Sequence, residues 1–543
     1  MSRSRSRPAL SADLAVAWSI AAVAAVAVLA GMDPSPFSPP LLPGDEPVAP
    51  LTGLAHGFGL GGLSSHGAAI LGLLLMAFAV GGFLFGLWEA WRGRLSVRVV
   101  LGLGIAFQVV AVALPLLLSR DAYSYAMYGR IDAVHHANPY VVTPVHFPQD
   151  PVYPFVGPVW RDTTVVYGPA FTLLAGTLAR LVASPVGLVW SFKIVAGLAG
   201  IGTLLLVAWA ARRLAPGRAA FAVALFGWNP VVWAYAVGGG HNDMLVALCF
   251  AGALAVLVRG GLFERRRERD PAGRPVAELV AVGLLTLGAL VKLGAGPALA
   301  VAVVWTVARR PRGRRAGLLA AEVAVVLVLV VAFAGLYWDT ANPTLGLAEL
   351  SKHREWISPG RLLMAMLGGI GERLWGAGGR TAVEAVIRGI LAAATLLATA
   401  LVATAVAHRA ASARWSVAVA GAGWAWVLLV TLLASPLLFP WYMAWLLPVA
   451  WFLPKHGRAV VIGMSALLAA SRAVAEPQRL PDLYPTILLI GHDVIGPLFL
   501  VALVWVLIRV RRIGSGASAL EDPALPVEAE PAPRQVAPAG HRG

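Results

Sequence analysis

Stretches of mostly apolar residues follow one another almost end to end in this chain, separated only by short breaks rich in Arg, Pro or Gly. A helix that spans a bilayer needs roughly 20 such residues, so the pattern makes lipid the solvent for most of the protein. Composition agrees: 59% of residues are hydrophobic, 13% are charged and the mean hydropathy is +0.76. No water-soluble domain of 543 residues has that balance. The period-two alternation of a transmembrane barrel is missing, so the spans read as helices and the fold as all-α.

Eight breaks carry most of the basic charge: Arg3 to Arg7, Arg92 to Arg98, Arg212 to Arg218, Arg265 to Arg274, Arg309 to Arg315, Arg409 to Arg414, Lys455 to Arg458 and Arg509 to Arg512. A net charge of +16 would suggest nucleic acid in a soluble protein; here it orients the chain, with all eight breaks in the cytoplasm. Candidate spans are 13–31, 67–89, 99–118, 187–211, 219–237, 244–259, 276–291, 295–309, 316–337, 385–407, 414–434, 440–453, 458–472 and 485–508. That gives 13–14 crossings, with both termini inside a cell (inner or plasma) membrane. The first is read as a transmembrane helix, not a cleaved signal, because no convincing cleavage site precedes a soluble domain. A further apolar stretch, 168–184, would break the parity if it crossed alone. It is therefore expected to be re-entrant, interfacial or paired with another half-span such as 361–374. Residues 1–512 form the membrane domain, and 513–543, rich in Ala, Pro, Glu and Gly, read as a disordered cytoplasmic tail. The lone Cys249 excludes a disulfide or a cysteine metal cluster within the chain.

This layout puts the long loops 32–66, 119–166 and 338–360 on the outer face, with GGGHND at 238–243 and SPLLFPWY at 435–442. Polar clusters gathered on one side suit an enzyme working at one leaflet; a transporter places its polar groups at mid-membrane on broken helices. The richest segment is SRDAYSYAMYGRIDAVHHANPY, 119–140, which begins where the third span ends. Asp121 stands at the membrane–water boundary and starts an interfacial helix with Tyr125, Tyr128 and Asp132 on its own face. It reads both as a helix cap and as a general base, and one carboxylate can do both. NPY at 138–140, WRD at 160–162 and YGP at 167–169 follow, offering flat rings such as Tyr167 for a sugar to stack on. In GGGHND, His241, Asn242 and Asp243 sit in a Gly-rich turn whose backbone N–H groups could hold phosphate, or which simply joins two helices. A metal role for His241 and Asp243 lacks a second ligand pair, and no resident cofactor is expected. Lys352, His353 and Arg354 stand on the outer side, where cations are disfavoured unless they clamp an anion. Lys292, Arg120, Arg130 and Arg472 are further phosphate candidates. FPWYMAW at 439–445 reads as packing or lipid-chain contact. With no P-loop or dinucleotide fingerprint in the chain, the energy for any group transfer has to arrive with the substrate.

D-x-Y-S-Y at 121–125, YGR at 128–130, NPY, YGP, GHND at 240–243 and FPWY at 439–442, in that order, resemble the polyprenol-phosphate-mannose-dependent alpha-1,6-mannosyltransferases. The resemblance covers roughly residues 100 to 500 and implies a GT-C glycosyltransferase fold with its active site outside the cytoplasm. It implies that Asp121 is the catalytic base, with Asp162 ranked next as a second acid and Asp243 left to substrate positioning. The donor would be a polyprenyl phosphomannose and the acceptor a lipid-linked alpha-1,6-mannan of the lipomannan type, with membrane lipids but no nucleic acid as other partners. Related protein O-mannosyltransferases carry two adjacent acids in this loop; here Ala122 follows Asp121, which argues against a protein acceptor. Two alternatives stay open: a GT-C transferase for another polyprenyl-phosphate sugar, and a lipid-linked-sugar flippase or transporter.

Overall fold

The protein is described by a computed structural model covering residues 7–32, 35–45, 49–260, 275–346, 349, 357–411, 417–516, 518 and 520–521. Among these residues there are helices and no strands. In chain order they are α1 (Arg7–Ala30), α2 (Ala49–Gly57), α3 (Ser65–Trp91), α4 (Val97–Ala113), α5 (Asp121–Ala133) and α6 (Pro169–Leu181). Next come α7 (Pro185–Leu214), α8 (Ala219–Gly227, continued by a π-helical turn Val231–Val237), α9 (Asp243–Arg259), α10 (Val276–Val291), α11 (Gly296–Ala308) and α12 (Arg312–Ala334). The last are α13 (Pro359–Ala411), α14 (Val417–Ala434), α15 (Met443–Ala450), α16 (Lys455–Ser471), α17 (Tyr484–Leu489) and α18 (Gly496–Gly514).

Among the described residues, the apolar stretches expected to span are mostly helical, and eight helices are long and apolar enough to cross a membrane. Burial sorts them: residues 219–237 are enclosed along their whole length, whereas α12 turns Leu327, Val328 and Val331 outward. A helix that shows apolar side chains nearly all round has lipid as its neighbour. Among the described residues, Arg-rich breaks pack against helix ends on one side of the bundle. Arg218 donates to the Trp91 carbonyl at 2.8 Å, Arg458 lies 4.7 Å over the Trp91 ring, and Glu278 receives Arg309 and Arg310. The interfacial helix α5 and the starts of α9 and α15 lie at the opposite end.

Three details differ from the sequence reading. First, the stretch 168–184 is α6, thirteen residues long or about 20 Å and too short to cross alone, in keeping with the expectation; what differs is its pairing. It packs on α5 and α10, and 361–374 is not its partner. Instead α13 is a helical hairpin. Gly376 turns it at φ 72°, ψ −166°, a conformation open essentially to glycine alone, and Gly371 folds back onto Gly379 and Gly360 onto Leu391. Second, α4 ends at Ala113 and not at 118, leaving Leu114 to Arg120 as unwound chain. Third, α18 runs to Gly514, and Leu520 is buried, its carbonyl accepting from Trp426 Nε1 at 2.9 Å; residues 522–543 of the expected tail lie outside the described residues.

Candidate active site

The unwound stretch 114–120 carries Asp121 to its place. Its carbonyls have no helix to bond, and the buried Lys193 of α7 donates to Leu114 O and, at 3.0 Å, to Pro115 O. The Leu117 N–H donates to Gly238 O at 3.1 Å, which ties the stretch to the Gly-rich turn between α8 and α9. Leu118 takes φ 60°, a left-handed conformation that costs a side-chain-bearing residue about 1–2 kcal/mol and is common beside functional groups. Arg120 then holds the cap position of α5, with Asp121 its first residue and the Asp121 N–H bonded to Ser119 Oγ at 3.0 Å. The cap reading of Asp121 is thereby corrected: its carboxylate is not the capping group, and it is left for other partners.

On the other side of the site, the π-turn and Gly240, at φ 66°, set the aim of His241. The His241 ring is fully buried, with Nδ1 3.5 Å from Asp121 Oδ2 and 3.3 Å from Tyr125 Oη. Tyr125 Oη also lies 3.4 Å from Asn242 Oδ1, to which it donates; the set is self-consistent with the proton on Nδ1. The imidazole stacks on Trp441 at 3.9 Å, and Trp441 in turn on Phe439 at 4.7 Å, one column of three rings from segments 200 residues apart. Asp243 is buried and holds Lys292 Nζ at 2.9 and 2.7 Å while accepting from Trp445 Nε1 at 2.6 Å. Lys292 is itself roofed by Tyr442, with Tyr167 and Trp445 beside it.

Electrostatics follow from this enclosure. Burial pushes the Asp121 carboxyl up to about 6 despite the pull of Lys292, with Asp243 adding to the rise and Ser119 and Arg472 opposing it. Burial, helped by the Lys292 charge, holds the His241 imidazole well below its ordinary value, so it is neutral. The cluster therefore offers a carboxylate that can take a proton near neutral pH, two cations that favour an anion, and aromatic walls.

The chain matches, over residues 22–309, the family described as alpha-(1->6)-mannopyranosyltransferase, N-terminal domain. It is also 30% identical over 436 residues to alpha-(1->6)-mannopyranosyltransferase A of Mycobacterium tuberculosis (strain ATCC 25618 / H37Rv), covering 74% of this chain and 75% of that protein. The chain belongs to this mannosyltransferase family. No solved structure matches it. It is thus a multi-pass membrane mannosyltransferase whose cluster draws Asp121 to Lys292 from the matched region and Trp441, Tyr442, Trp445 and Arg472 from beyond it.

Within the mannosyltransferase, the residues singled out in the sequence divide. Asp121, Tyr125, Tyr167, His241, Asn242, Asp243 and Lys292 come together, with the Arg472 charge reaching Asp121. Tyr128 packs edge-on against Tyr167 at 6.4 Å while its hydroxyl points away, donating to Thr163 O at 2.8 Å. Arg130 pairs with the buried Asp150 at 2.9 Å, beside His135, and so braces the loop; Arg120 pairs with Glu476. Both guanidiniums are engaged by acids, as Lys292 is by Asp243. Asp162 is exposed, and the acid nearest Asp121 in effect is Asp243. The Gly-rich turn is no open phosphate cradle either: the N–H groups of Gly238, Gly239, Gly240 and His241 all donate to backbone carbonyls of residues 233–237. Lys352, His353 and Arg354 lie outside the described residues; the start of their loop docks on NPY, with Asn342 Nδ2 donating to Tyr140 O at 2.7 Å. Sequence reasoning took Trp441, Tyr442 and Trp445 for packing, although four aromatics in seven residues at one outer helix start was a usable signal. Glu476 gave none.

Proposed function

We propose that the chain moves mannose from a polyprenyl phosphomannose to an alpha-1,6-linked mannan on a lipid anchor, on the extracytoplasmic face, in one inverting displacement without a resident cofactor. The observation that carries this is the half-enclosed Asp121 carboxylate, 18% exposed, at the start of an interfacial helix with Lys292 and Arg472 acting on it. The acceptor hydroxyl oxygen attacks the anomeric carbon and its proton passes to Asp121. The bond from that carbon to the phosphate oxygen breaks, and the electron pair leaves with the phosphate, drawn by the two cations. A beta-linked donor then gives an alpha-mannoside. His241, neutral and clamped by Trp441, holds the carboxylate in place without removing its charge. The positive-inside pattern puts the Arg-rich end in the cytoplasm and this cluster outside.

Membranes containing the protein, given polyprenyl phosphomannose labelled in the sugar and a short alpha-1,6-mannoside, should yield a longer labelled oligosaccharide whose new bond an alpha-1,6-specific mannosidase opens. Transfer that requires a nucleotide-linked sugar, or a product with another linkage, would refute the donor or the linkage respectively.

A further inference from the structure

Besides the cluster around Asp121, the same end of the bundle holds a cleft of about 530 Å³, within the range of small-molecule sites. Its walls mix prolines, among them Pro36, Pro39 and Pro40, with the charged side chains of Asp45, Glu476 and Arg479. Hydrogen bonds fasten this cleft to both sides of Asp121. The Leu118 N–H donates to Phe37 O at 2.6 Å, Tyr123 Oη donates to Pro40 O at 2.9 Å, and Ala475 N–H donates to Pro36 O at 2.9 Å. Glu476, 8% exposed, sits between Arg120, the residue before Asp121, and Arg479, 63% exposed at the rim. Ser38 Oγ, also on the wall, is buried without a hydrogen-bond partner.

We infer that this cleft binds the sugar units of the acceptor saccharide next to its non-reducing end, so that Asp121 stands between an acceptor side built on residues 36–45 and 476–479 and a donor side built on Lys292 and the Trp441 column. The name of the sugar rests on the transfer reading above; the cleft's chemistry points to a sugar independently. Vicinal hydroxyls match a carboxylate and a guanidinium that already face each other, the apolar face of a pyranose matches proline rings, and the unpartnered Ser38 hydroxyl is answered by one more sugar oxygen. A prenyl chain would call for an unbroken apolar groove, and three charged groups on the wall deny it one. Arg120, through Glu476, acts as a positioning residue that couples the cleft to the base.

The test uses the full chain in lipid nanodiscs with Ser65→Trp, a substitution at an exposed position on the cleft wall that leaves the Ser64 helix cap in place, and with Arg479→Ala. KM for a short alpha-1,6-mannoside should rise roughly tenfold or more in each variant while KM for the polyprenyl donor stays unchanged. Saturation-transfer NMR, which needs no turnover, should show the mannoside on wild type and a weakened signal on Ser65→Trp. A donor KM that rises instead, an acceptor KM that does not move in folded Ser65→Trp, or no NMR contact with wild type would each overturn the assignment. Cleft-dependent binding without transfer would sink the donor reading and leave the cleft standing; transfer with binding indifferent to Ser65→Trp would do the reverse.

Discussion

Burying Asp121 works against the fold in proportion to how far its carboxyl is raised. A carboxyl whose value climbs from 3.8 to about 6 on folding destabilises the folded chain wherever it is ionised. That cost is fully present above about pH 6 and fades as pH falls toward the unfolded value. Asp121→Asn removes the charge and keeps the shape, so it should raise the thermal midpoint in detergent, by up to about 3 kcal/mol of stability, an upper limit for a group with some access to water. A midpoint that falls would mean the carboxylate is a structural anchor. The same value sets the activity profile: wild-type transfer at limiting acceptor should fall about tenfold per unit below about pH 6 and level off above it. A profile flat down to pH 4.5 would show that the titrating base is some other group.

Elements bring these side chains together by breaking helical regularity at chosen points. The Gly240 N–H bonds back to the π-turn after α8 at Val237 O, and the unwound 114–120 joins the same turn through Leu117 N–H to Gly238 O. A Cβ at Gly240 would stand 3.2 Å from Lys193 Cγ and 3.3 Å from Lys193 N, in a backbone conformation that disfavours it. Gly240→Ala should therefore cost about 1–2 kcal/mol and shift His241, lowering kcat per folded protein more than it raises donor KM; a kcat unchanged at equal folded protein would contradict this. Lys292→Met strands Asp243 in the interior and should cost about 3–5 kcal/mol, measured as heat resistance. Adding Asp243→Asn should restore the stability but not transfer, and a double variant that is no more stable than the single would contradict the pairing. These couplings mark where sequence reading stopped. Asp121, Tyr125 and GHND were legible because each sits in a short, dense run of polar residues between apolar stretches. The Asp243–Lys292 pair, the Trp441 column and the Arg120–Glu476 pair span 49, 200 and 356 positions, and no local pattern encodes which distant partner a side chain meets.

Across the whole molecule, hydropathy alone dictated the helical bundle, because a backbone in lipid must bond to itself and the helix is the local way to do so. What hydropathy could not separate is a crossing from a helix of similar composition that stops short, as α6 and the first arm of the α13 hairpin do; length in three dimensions decides that. The orientation can be checked in a Cys249→Ser background. Gln149→Cys, exposed in the loop after α5, should react with a membrane-impermeant maleimide in intact cells, and Arg314→Cys, exposed at the Arg-rich end, only after lysis. The reverse labelling would put the site in the cytoplasm. The most direct test of the account is transfer of labelled mannose from polyprenyl phosphomannose to an alpha-1,6-mannoside by wild type and by Asp121→Asn at equal amounts of folded protein. The account predicts robust transfer by wild type and a fall of at least about a hundredfold in the variant; a variant that still transfers at the wild-type rate would contradict it.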